Sequence, residues 1–290
     1  MDNIFCTVFT PAYNRKELII RLYESLKTQT LKDFEWVIVD DGSTDGTDEA
    51  ISAIEEDSFN IIYKKVENGG KHRAINRGLD LAHGQVFAIV DSDDYLTEDA
   101  IEKIKVYFDD IKNSDKKFAG VAGLKCFSTE NSVGTSFEGY SIDAKSTERK
   151  QNNISGDKFE VFFTEVLRNY KFPEIEGENF MTEAISWNRM AYDGYYIRWF
   201  NDNIYVCDYL ENGLSDSKDR LVRQNPKGYA LFIRECVQHN ILSFKEKMGY
   251  YSYYFKVCKS DRKLKEIAKE LNTSALVIIA AYIIRLILGR

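Results

Sequence analysis

Three carboxylates stand within four positions of this sequence, at Asp91, Asp93 and Asp94, directly after the apolar run 88–90. Like charges this close repel one another unless a positive charge lies among them. Carboxylates without histidine or cysteine suit Mg²⁺ or Mn²⁺ rather than zinc, and such cations usually complete their shell with water and phosphate oxygens. The stretch therefore predicts a metal site shared with a phosphorylated ligand. The alternative is that Asp93 and Asp94 only open the next helix, where the helix dipole favours carboxylates.

Three further polar loops follow apolar runs earlier in the chain. They are TPAYNR (10–15), DDGSTDGT (40–47) and ENGGKHR (67–73). In the last loop, two glycines allow close approach of the backbone, while Lys71, His72 and Arg73 supply positive charge that suits a diphosphate. The sequence has neither a Walker lysine followed by Ser or Thr nor a G-x-G-x-x-G after the first strand, which argues against a P-loop or a dinucleotide site.

The elements that would carry these loops alternate between apolar strands and amphipathic helices. The pattern predicts strands at 4–10, 34–41, 60–66, 85–91 and 117–127. It predicts helices at 15–30 and at 70–84, the second ending at Gly84. Two more helices are predicted, one capped by Ser43 or Thr44 and running through Ile54, the other capped by Thr97 and running through Phe108. Such alternation is typical of a parallel sheet covered on both faces. Ligands of these sheets bind beyond the carboxyl ends of the strands, so we expect all four polar loops at one edge.

Composition narrows the class of protein. The chain has 290 residues, 44% hydrophobic and 29% charged, which suffices for one large domain or two small ones. The net charge of −7 argues against a nucleic-acid partner. Five widely spaced cysteines without a CxxC pair indicate neither a disulfide framework nor a zinc knuckle. Because the first residues also lack the pattern of a secretion signal, we expect a cytoplasmic protein.

The segment 4–110 resembles the family 2 glycosyltransferases. The motifs VFTPAYNR, FEWVIVDDGSTDGT, NGGKHRAINRGL and GQVFAIVDSDDYL occur in that family's order. The resemblance implies an α/β GT-A fold, with a Rossmann-like, mostly parallel sheet flanked by helices and a helical C-terminal region. It also implies an inverting transfer from a nucleoside-diphosphate sugar, usually a UDP-sugar, to an acceptor hydroxyl in bacterial surface polysaccharide or glycolipid assembly.

The same resemblance assigns residues to the nucleotide. Pro11, Ala12 and Tyr13 would line the nucleotide pocket, and Asp41 would hydrogen-bond the base. We therefore expect the loops after the first two strands to bind the nucleoside half of the donor.

Residues of the other two loops would bind the diphosphate and a divalent metal, Mn²⁺ or Mg²⁺. Lys71 and Arg73 fall where contacts with the diphosphate are expected. Asp93 is the first choice for direct contact with the metal, with Asp91 on the ribose or sugar side as the second metal candidate and Ser92 among the donor-binding residues. Such a metal would neutralise the crowded carboxylates together with the departing diphosphate.

Inverting transfer needs a general base for the acceptor hydroxyl. The family places an Asp at the end of a Thr/Glu-Glu-Asp-like motif, but this sequence has Thr182-Glu183-Ala184, and alanine takes no proton. Glu183 is the first substitute candidate and Glu178 the second. The alternative is that Glu183 only charges the first turn of an amphipathic helix. The missing Asp also leaves open a protein that binds a nucleotide sugar without transferring it. A nucleotidyltransferase is disfavoured, since TPAYNRKE contains no glycine.

The second half of the chain is predicted more coarsely. We expect a catalytic domain over 1–215, with a nucleotide-sugar half (1–125) and an acceptor half (126–215), followed by helices over 216–290. Within the acceptor half, the pattern indicates a long loop and helix at 128–170 and a β-hairpin at 195–210 that turns at Asn201-Asp202-Asn203. The family often closes a segment over the diphosphate. Here it would use Ser215, Lys218 and Arg220.

The final stretch, SALVIIAAYIIRLILGR (274–290), is unusually apolar. It is too short to span a bilayer, which needs about 20 apolar residues. Three interpretations are open: a buried helix, a helix lying in a membrane interface, and a dimerisation helix. Because acceptors in this family are often lipid-linked, a place at the inner face of the cell membrane would be chemically sensible.

Overall fold

A computed structural model describes residues 4–127, 131–207 and 218–287. The strands are β1 (Cys6–Ala12), β2 (Phe34–Asp40), β3 (Asn60–Lys65), β4 (Val86–Ile89), β5 (Tyr95–Leu96), β6 (Phe118–Cys126), β7 (Ser141–Ala144), β8 (Lys158–Phe163) and β9 (Tyr196–Val206). The helices are α1 (Lys16–Lys27), α2 (Thr47–Ser52), α3 (Lys71–Leu81), α4 (Ala100–Lys112), α5 (Thr164–Arg168), α6 (Ala184–Tyr192), α7 (Lys218–Gln224), α8 (Pro226–Gln238), α9 (Phe244–Cys258), α10 (Leu264–Glu270) and α11 (Ala275–Ile287).

The strands form one mixed sheet in the order β3-β2-β1-β4-β8-β6-β9-β5, with β7 also paired to β9. β1 pairs in parallel with β2 and β4, and β2 pairs in parallel with β3. β8 is antiparallel to both of its neighbours, β4 and β6. The α/β fold class is confirmed, and its first four strands place their carboxyl ends at one edge of the sheet.

A close approach between α3 and β1 positions the basic loop at this edge. Gly78 lies at the contact, where a Cβ atom would come within 2.2 Å of Cε2 of Phe9. Phe9 is fully buried and stacks on Phe87 of β4, with ring centroids 5.1 Å apart. Only glycine lets the helix lie this near the sheet, and the helix begins at Lys71.

Contacts divide the chain into two compact units. One unit comprises Met1–Phe172 and Ser186–Asp208, and the other comprises Pro173–Ile185 and Tyr209–Arg290. This differs from the predicted boundary near residue 215, because Pro173–Ile185 packs with the C-terminal helices. The reason is local. The Asn225 side chain accepts hydrogen bonds from the backbone N–H groups of Asn179 and Phe180, at 2.7 and 3.0 Å.

Strand β9 corrects the predicted hairpin at 195–210. It is a single strand of 11 residues, and Asn201-Asp202-Asn203 lies inside it. Its register against β6 shifts between the pairs Ala122–Trp199 and Leu124–Asn203. The polar residues therefore lie at a local irregularity in the pairing of the strand, as in a β-bulge, and not in a turn.

The predicted loop and helix at 128–170 also contains strands. β7 pairs with β9, and β8 is inserted between β4 and β6 in the centre of the sheet. Lys158 opens β8 and is buried, with its ammonium donating to the backbone carbonyls of Val133 and Ser155. The sequence signal was weak because β8 is short and follows a long polar stretch.

Three predicted helix boundaries were wrong. Gly46, with φ of +85°, precedes α2, and Asp99 precedes α4, so neither Ser43, Thr44 nor Thr97 caps these helices. Helix α3 ends at Leu81 rather than at a C-terminal glycine. Gly84 lies instead against β1, where a Cβ atom would come within 2.3 Å of the Thr7 nitrogen.

The C-terminal helices have their own core, in which Ile233, Tyr254, Ile267 and Ile278 are buried together. Among the residues with described positions, no single helix is long and apolar enough to cross a membrane. The pair α10 and α11 passes that test jointly, with a bend of 100° between the two helices.

Candidate donor-binding site

The loops after β1 and β2 are tied together by one asparagine. Asn14 donates its backbone N–H to Oγ of Ser43 at 2.8 Å, and its side-chain oxygen accepts from the Thr44 N–H at 2.9 Å. Asn14 has φ of +52°, a left-handed conformation that asparagine tolerates better than most residues. The bonds fix the backbone of the predicted nucleotide loop, in which Ala12 is buried and the Tyr13 side chain is 50% exposed.

Asp41 holds the glycine-rich loop in place. One carboxylate oxygen accepts from the Gly69 N–H and the other from the Gly70 N–H, each at 2.8 Å. Its backbone N–H donates to the carbonyl of Ala12 at 2.8 Å. Burial raises the pKa of Asp41 above its ordinary value, although the two hydrogen bonds oppose the shift. Asp41 thus joins three of the four loops, and its predicted contact with a base stays a prediction.

The glycine-rich loop needs glycine at its second position. Gly70 has φ of +94° and immediately precedes α3, a backbone conformation that L-residues rarely adopt. The following turn carries the predicted cations. Arg73 bends back so that Nη1 donates to the Gly69 carbonyl at 2.6 Å, and Lys71 extends toward β4.

The carboxylates after β4 have positive partners from the protein itself. The Lys71 ammonium lies 2.6 Å from Oδ1 of Asp91. The guanidinium of Arg15 lies 3.9 Å from Oδ2 of Asp93. Burial would raise the pKa of Asp91, but the charges of Lys71 and Lys125 outweigh it and hold this pKa below its ordinary value. Basic side chains of two other loops therefore offset the repulsion among the three carboxylates that follow β4.

Tyr205 of β9 is a site residue that sequence reasoning missed. Its hydroxyl donates to Oδ2 of Asp94 at 2.6 Å and accepts from the Asp91 backbone N–H at 3.1 Å. The ring is fully buried, and the Lys125 ammonium lies over it, 4.1 Å from the centroid. No motif marks this tyrosine, because it lies more than a hundred residues along the chain from the turn that it supports.

Asp94 differs from its neighbours in the turn. It is 7% exposed, and burial together with the charges of Asp91 and Asp93 raises its pKa to about 6. Ser92 is also buried. The side chains of Asp91 and Asp93 remain about 30% exposed, so these two carboxylates are the accessible ones.

The donor set fits a metal that is completed by its substrate. Across residues 4–127, 131–207 and 218–287, no group of three or more His, Cys, Asp or Glu side chains is assembled to hold an ion. Mg²⁺ and Mn²⁺ bind through one or two carboxylates when phosphate oxygens supply further ligands. Asp93, aided by Asp91, offers such a pair of hard oxygen ligands at the edge of the sheet.

The two candidate bases lie in the second compact unit and have different surroundings. Glu178 is buried, and its two carboxylate oxygens accept from the backbone N–H groups of Lys227 and Gly228, at 2.8 and 2.7 Å. These N–H groups open α8, so Glu178 satisfies donors that a helix start leaves unpaired. Glu183 directly precedes α6 and is half-buried.

Other predicted residues can be placed briefly. Trp187 is a core residue, since it packs on Phe162 and Phe172 with ring centroids 4.3 and 5.8 Å away. Lys218 and Arg220 are exposed on α7. Ser215 lies outside the residues that the structure describes.

A mixed α/β sheet whose parallel strands gather two carboxylates, a lysine and a glycine-rich helix start at their carboxyl edge indicates a GT-A fold. The chain belongs to the family described as Glycosyl transferase family 2, whose sequence model matches residues 7–165. It is therefore a glycosyltransferase, as the resemblance implied.

Relatives and solved structures agree with this membership. The chain is 26% identical, over 96% of its length and 93% of the relative's, to GalNAc(5)-diNAcBac-PP-undecaprenol beta-1,3-glucosyltransferase of Campylobacter jejuni. It is 36% identical to the putative teichuronic acid biosynthesis glycosyltransferase TuaG of Bacillus subtilis, over 33% of this chain and 39% of that protein.

Two solved structures share the fold. Residues 1–349 of S. aureus TarS, in complex with UDP-GlcNAc, superpose with a TM-score of 0.64 and 22% identity, over 96% of this chain and 81% of that one. The mannosyltransferase PcManGT of Pyrobaculum calidifontis, in complex with GDP-Man and Mn²⁺, superposes with a TM-score of 0.58 and 18% identity, over 97% of this chain and 86% of that one.

Proposed function

We propose that this glycosyltransferase moves a sugar from a UDP-sugar to the hydroxyl of a lipid-linked acceptor, with inversion at the anomeric carbon and with Mn²⁺ or Mg²⁺. The observation that carries the proposal is the cluster of Lys71, Asp91 and Asp93 at the carboxyl edge of the parallel strands. Its charges suit a diphosphate and a cation together. The Campylobacter relative is named for a lipid-linked acceptor, which supports the acceptor class.

Two features of the glycine-rich loop suit the diphosphate of the donor. The start of α3 offers backbone N–H groups and the positive end of the helix dipole to a diphosphate. Lys71, within 2.6 Å of Asp91, places its ammonium among the carboxylates and beside that helix start. Arg73 adds a second cation two residues further along α3. A bound Mn²⁺ or Mg²⁺ would screen the leaving diphosphate as a Lewis acid held by Asp93 and Asp91.

For the acceptor side, we assign the general base to Glu183. Ala184 occupies the family's usual position, and Glu178 already uses its two carboxylate oxygens at the start of α8. Glu183 would take the proton of the acceptor hydroxyl while that oxygen attacks the anomeric carbon and the diphosphate leaves. The rival of a sugar-nucleotide-binding protein without transfer gains no support from the relatives, which are named as glycosyltransferases.

Turnover tests the proposal directly. The chain would be incubated with a panel of UDP-sugars and GDP-sugars and a polyprenyl-linked acceptor, with Mn²⁺ and with chelator, and release of the nucleoside diphosphate would be measured. We expect release with one UDP-sugar and only when metal is present. Equal release in the presence of chelator would contradict the proposed metal requirement. Release from GDP-sugars alone would contradict the assignment of a UDP-sugar as the donor. Because lipid-linked substrates are handled at membranes, we also propose that the protein works at the inner face of the cell membrane.

A further inference from the structure

Helix α11 exposes an apolar face that carries no charged residue. The exposed positions recur at the spacing of one helix face, and they are Leu276, Ile279, Ala280, Ile283, Ile284, Leu286 and Ile287. Leu276 and Ile287 are 79% and 77% exposed. We refer to these seven residues as the α11 apolar face. Side chains this apolar are normally covered when they stand together.

The opposite face of α11 is already packed. Ile278 and Ala281 are buried against the other C-terminal helices. The ring of Tyr282 meets that of Phe255 edge to face at 5.1 Å, and the Lys259 ammonium donates to the Tyr282 hydroxyl at 2.8 Å. The helix is therefore fixed on a folded platform, and its apolar face is not needed for the core of that unit.

Charge indicates what covers the apolar face. Residues 244–287 contain nine Lys or Arg against four Asp or Glu, a net charge of +5, whereas the rest of the chain carries −12. The exposed lysines of this segment are Lys245, Lys256, Lys259, Lys263, Lys265 and Lys269. An apolar helix face within a segment rich in exposed lysines is the combination that binds the interface of an anionic bilayer.

A second copy of this chain fits the charge less well. A two-fold dimer brings the same patch of each subunit together, so the positive segment would face itself. Like-charge juxtaposition opposes association, whereas anionic lipid headgroups attract the same surface. The described part of α11, 13 residues or about 20 Å of helix, is by itself shorter than the hydrocarbon core of a bilayer, which is about 30 Å thick.

We propose that the α11 apolar face is a docking surface for an anionic lipid bilayer, with the lysines of 244–287 contacting the headgroups. The helix lies in the plane of the interface and inserts its exposed leucines and isoleucines among the acyl chains. The inference deepens the proposed function, since a surface-bound enzyme meets a lipid-linked acceptor in two dimensions, but its evidence is independent of the donor site.

Vesicle sedimentation of the full chain tests the proposal. The probes are phosphatidylcholine vesicles with and without phosphatidylglycerol, at low and high salt. We expect binding to the anionic vesicles, weakened by salt because headgroup attraction is screened. The double variant Leu276→Gln/Ile283→Gln should bind at least about tenfold more weakly, since each side chain loses the gain from burial in the acyl region. The control Val106→Gln changes a side chain that is 58% exposed on α4 and should bind as the parent chain does.

A second variant keeps the test decisive if the first one unfolds. Lys265→Glu/Lys269→Glu changes only exposed side chains and should weaken binding to anionic vesicles while leaving the weaker binding to neutral vesicles unchanged. No binding of the parent chain to either vesicle would overturn the proposal. So would a concentration-dependent dimer that Leu276→Gln/Ile283→Gln converts to monomer, since the face would then be a subunit interface. Vesicle binding without any UDP release from UDP-sugars would instead count against the proposed function alone.

Discussion

At the scale of single residues, the site is organised by side chains that hold other side chains. Asp41 uses its two carboxylate oxygens to hold the loop that carries Lys71 and Arg73. Tyr205 does the same for the turn that carries Asp91. Such contacts fix the geometry of the groups that we propose to touch substrate, and the residues that make them need not touch substrate themselves.

Tyr205→Phe should loosen the acidic turn without unfolding the protein. The change removes one donor to Asp94 and one acceptor for the Asp91 N–H, so we expect a loss of about 1–3 kcal/mol in the free energy of unfolding. The Mn²⁺ concentration for half-maximal UDP release should rise several-fold, because the carboxylates that we propose as metal ligands are held less well. Tyr140→Phe, at a side chain that is 86% exposed, is the matched control. An unchanged Mn²⁺ dependence in Tyr205→Phe would show that the tyrosine serves stability only.

Paired substitutions distinguish the roles of Glu178 and Glu183. Glu183→Gln should leave UDP binding intact and lower kcat by about 10²–10⁴, the usual contribution of a general base. Glu178→Gln should keep most of kcat and lower the free energy of unfolding by about 1 kcal/mol, since a neutral amide interacts less well with the start of α8. Thermal unfolding, calorimetric UDP binding and UDP release would be measured on both. If Glu178→Gln abolished transfer and Glu183→Gln did not, the assignment of the base would be reversed.

At the scale of elements, the edge of the sheet depends on close packing beneath it. Helix α3 presents the glycine-rich loop because Gly78 allows the helix to lie against Phe9. Strand β9 supports the acidic turn from the far half of the sheet, and it is itself paired on both sides by β6 and β7. Displacing either element would move the charged side chains that we propose to bind the diphosphate.

Gly78→Ala should therefore disturb the site by displacing α3, which carries the glycine-rich loop. The added methyl would lie 2.2 Å from Phe9, and overpacking of this kind costs about 1–3 kcal/mol. Because the helix must shift outward, we also expect a higher KM for the donor. Gly249→Ala is the matched control, since a Cβ on this α9 glycine meets nothing within 4 Å and should stabilise the helix by about 0.5–1 kcal/mol. The melting temperature and the donor KM would be measured for both variants. Equal values in the two variants would contradict the role of Gly78 in positioning α3.

The pairing of β7 with β9 should respond to acid. Burial would raise the pKa of Asp143, but hydrogen bonds from Arg198 at 2.8 and 3.1 Å and from Lys116 hold it below its ordinary value. An acid with a lowered folded pKa stabilises the fold above its unfolded pKa and loses that contribution as pH falls through the folded value. Asp143→Asn should thus lower the melting temperature at pH 7 and follow a shallower decline below about pH 4. Parallel pH profiles of the two proteins would contradict this.

At the scale of the whole molecule, the sequence predicted what is local and periodic. The four loops and the strands beneath them were read correctly because each polar cluster directly follows an apolar run, as at Asp41 and Asp91. Contacts between distant segments were not accessible from one sequence. β8 enters the centre of the sheet from a polar stretch, and Tyr205 reaches a turn more than a hundred residues away. The role of Glu178 likewise depends on α8, which follows it by about fifty residues.

Calorimetric titration of UDP with Mn²⁺ into the parent protein and into Asp93→Asn tests whether this edge of the sheet binds the donor. We expect metal-dependent binding by the parent chain and binding at least about tenfold weaker in Asp93→Asn, because the proposed charged ligand of the metal is lost. Asp115→Asn, at an exposed carboxylate on the surface, should bind as the parent chain does. Equal affinity of Asp93→Asn and the parent chain, or binding that is indifferent to Mn²⁺, would contradict the assignment of this sheet edge as the donor site.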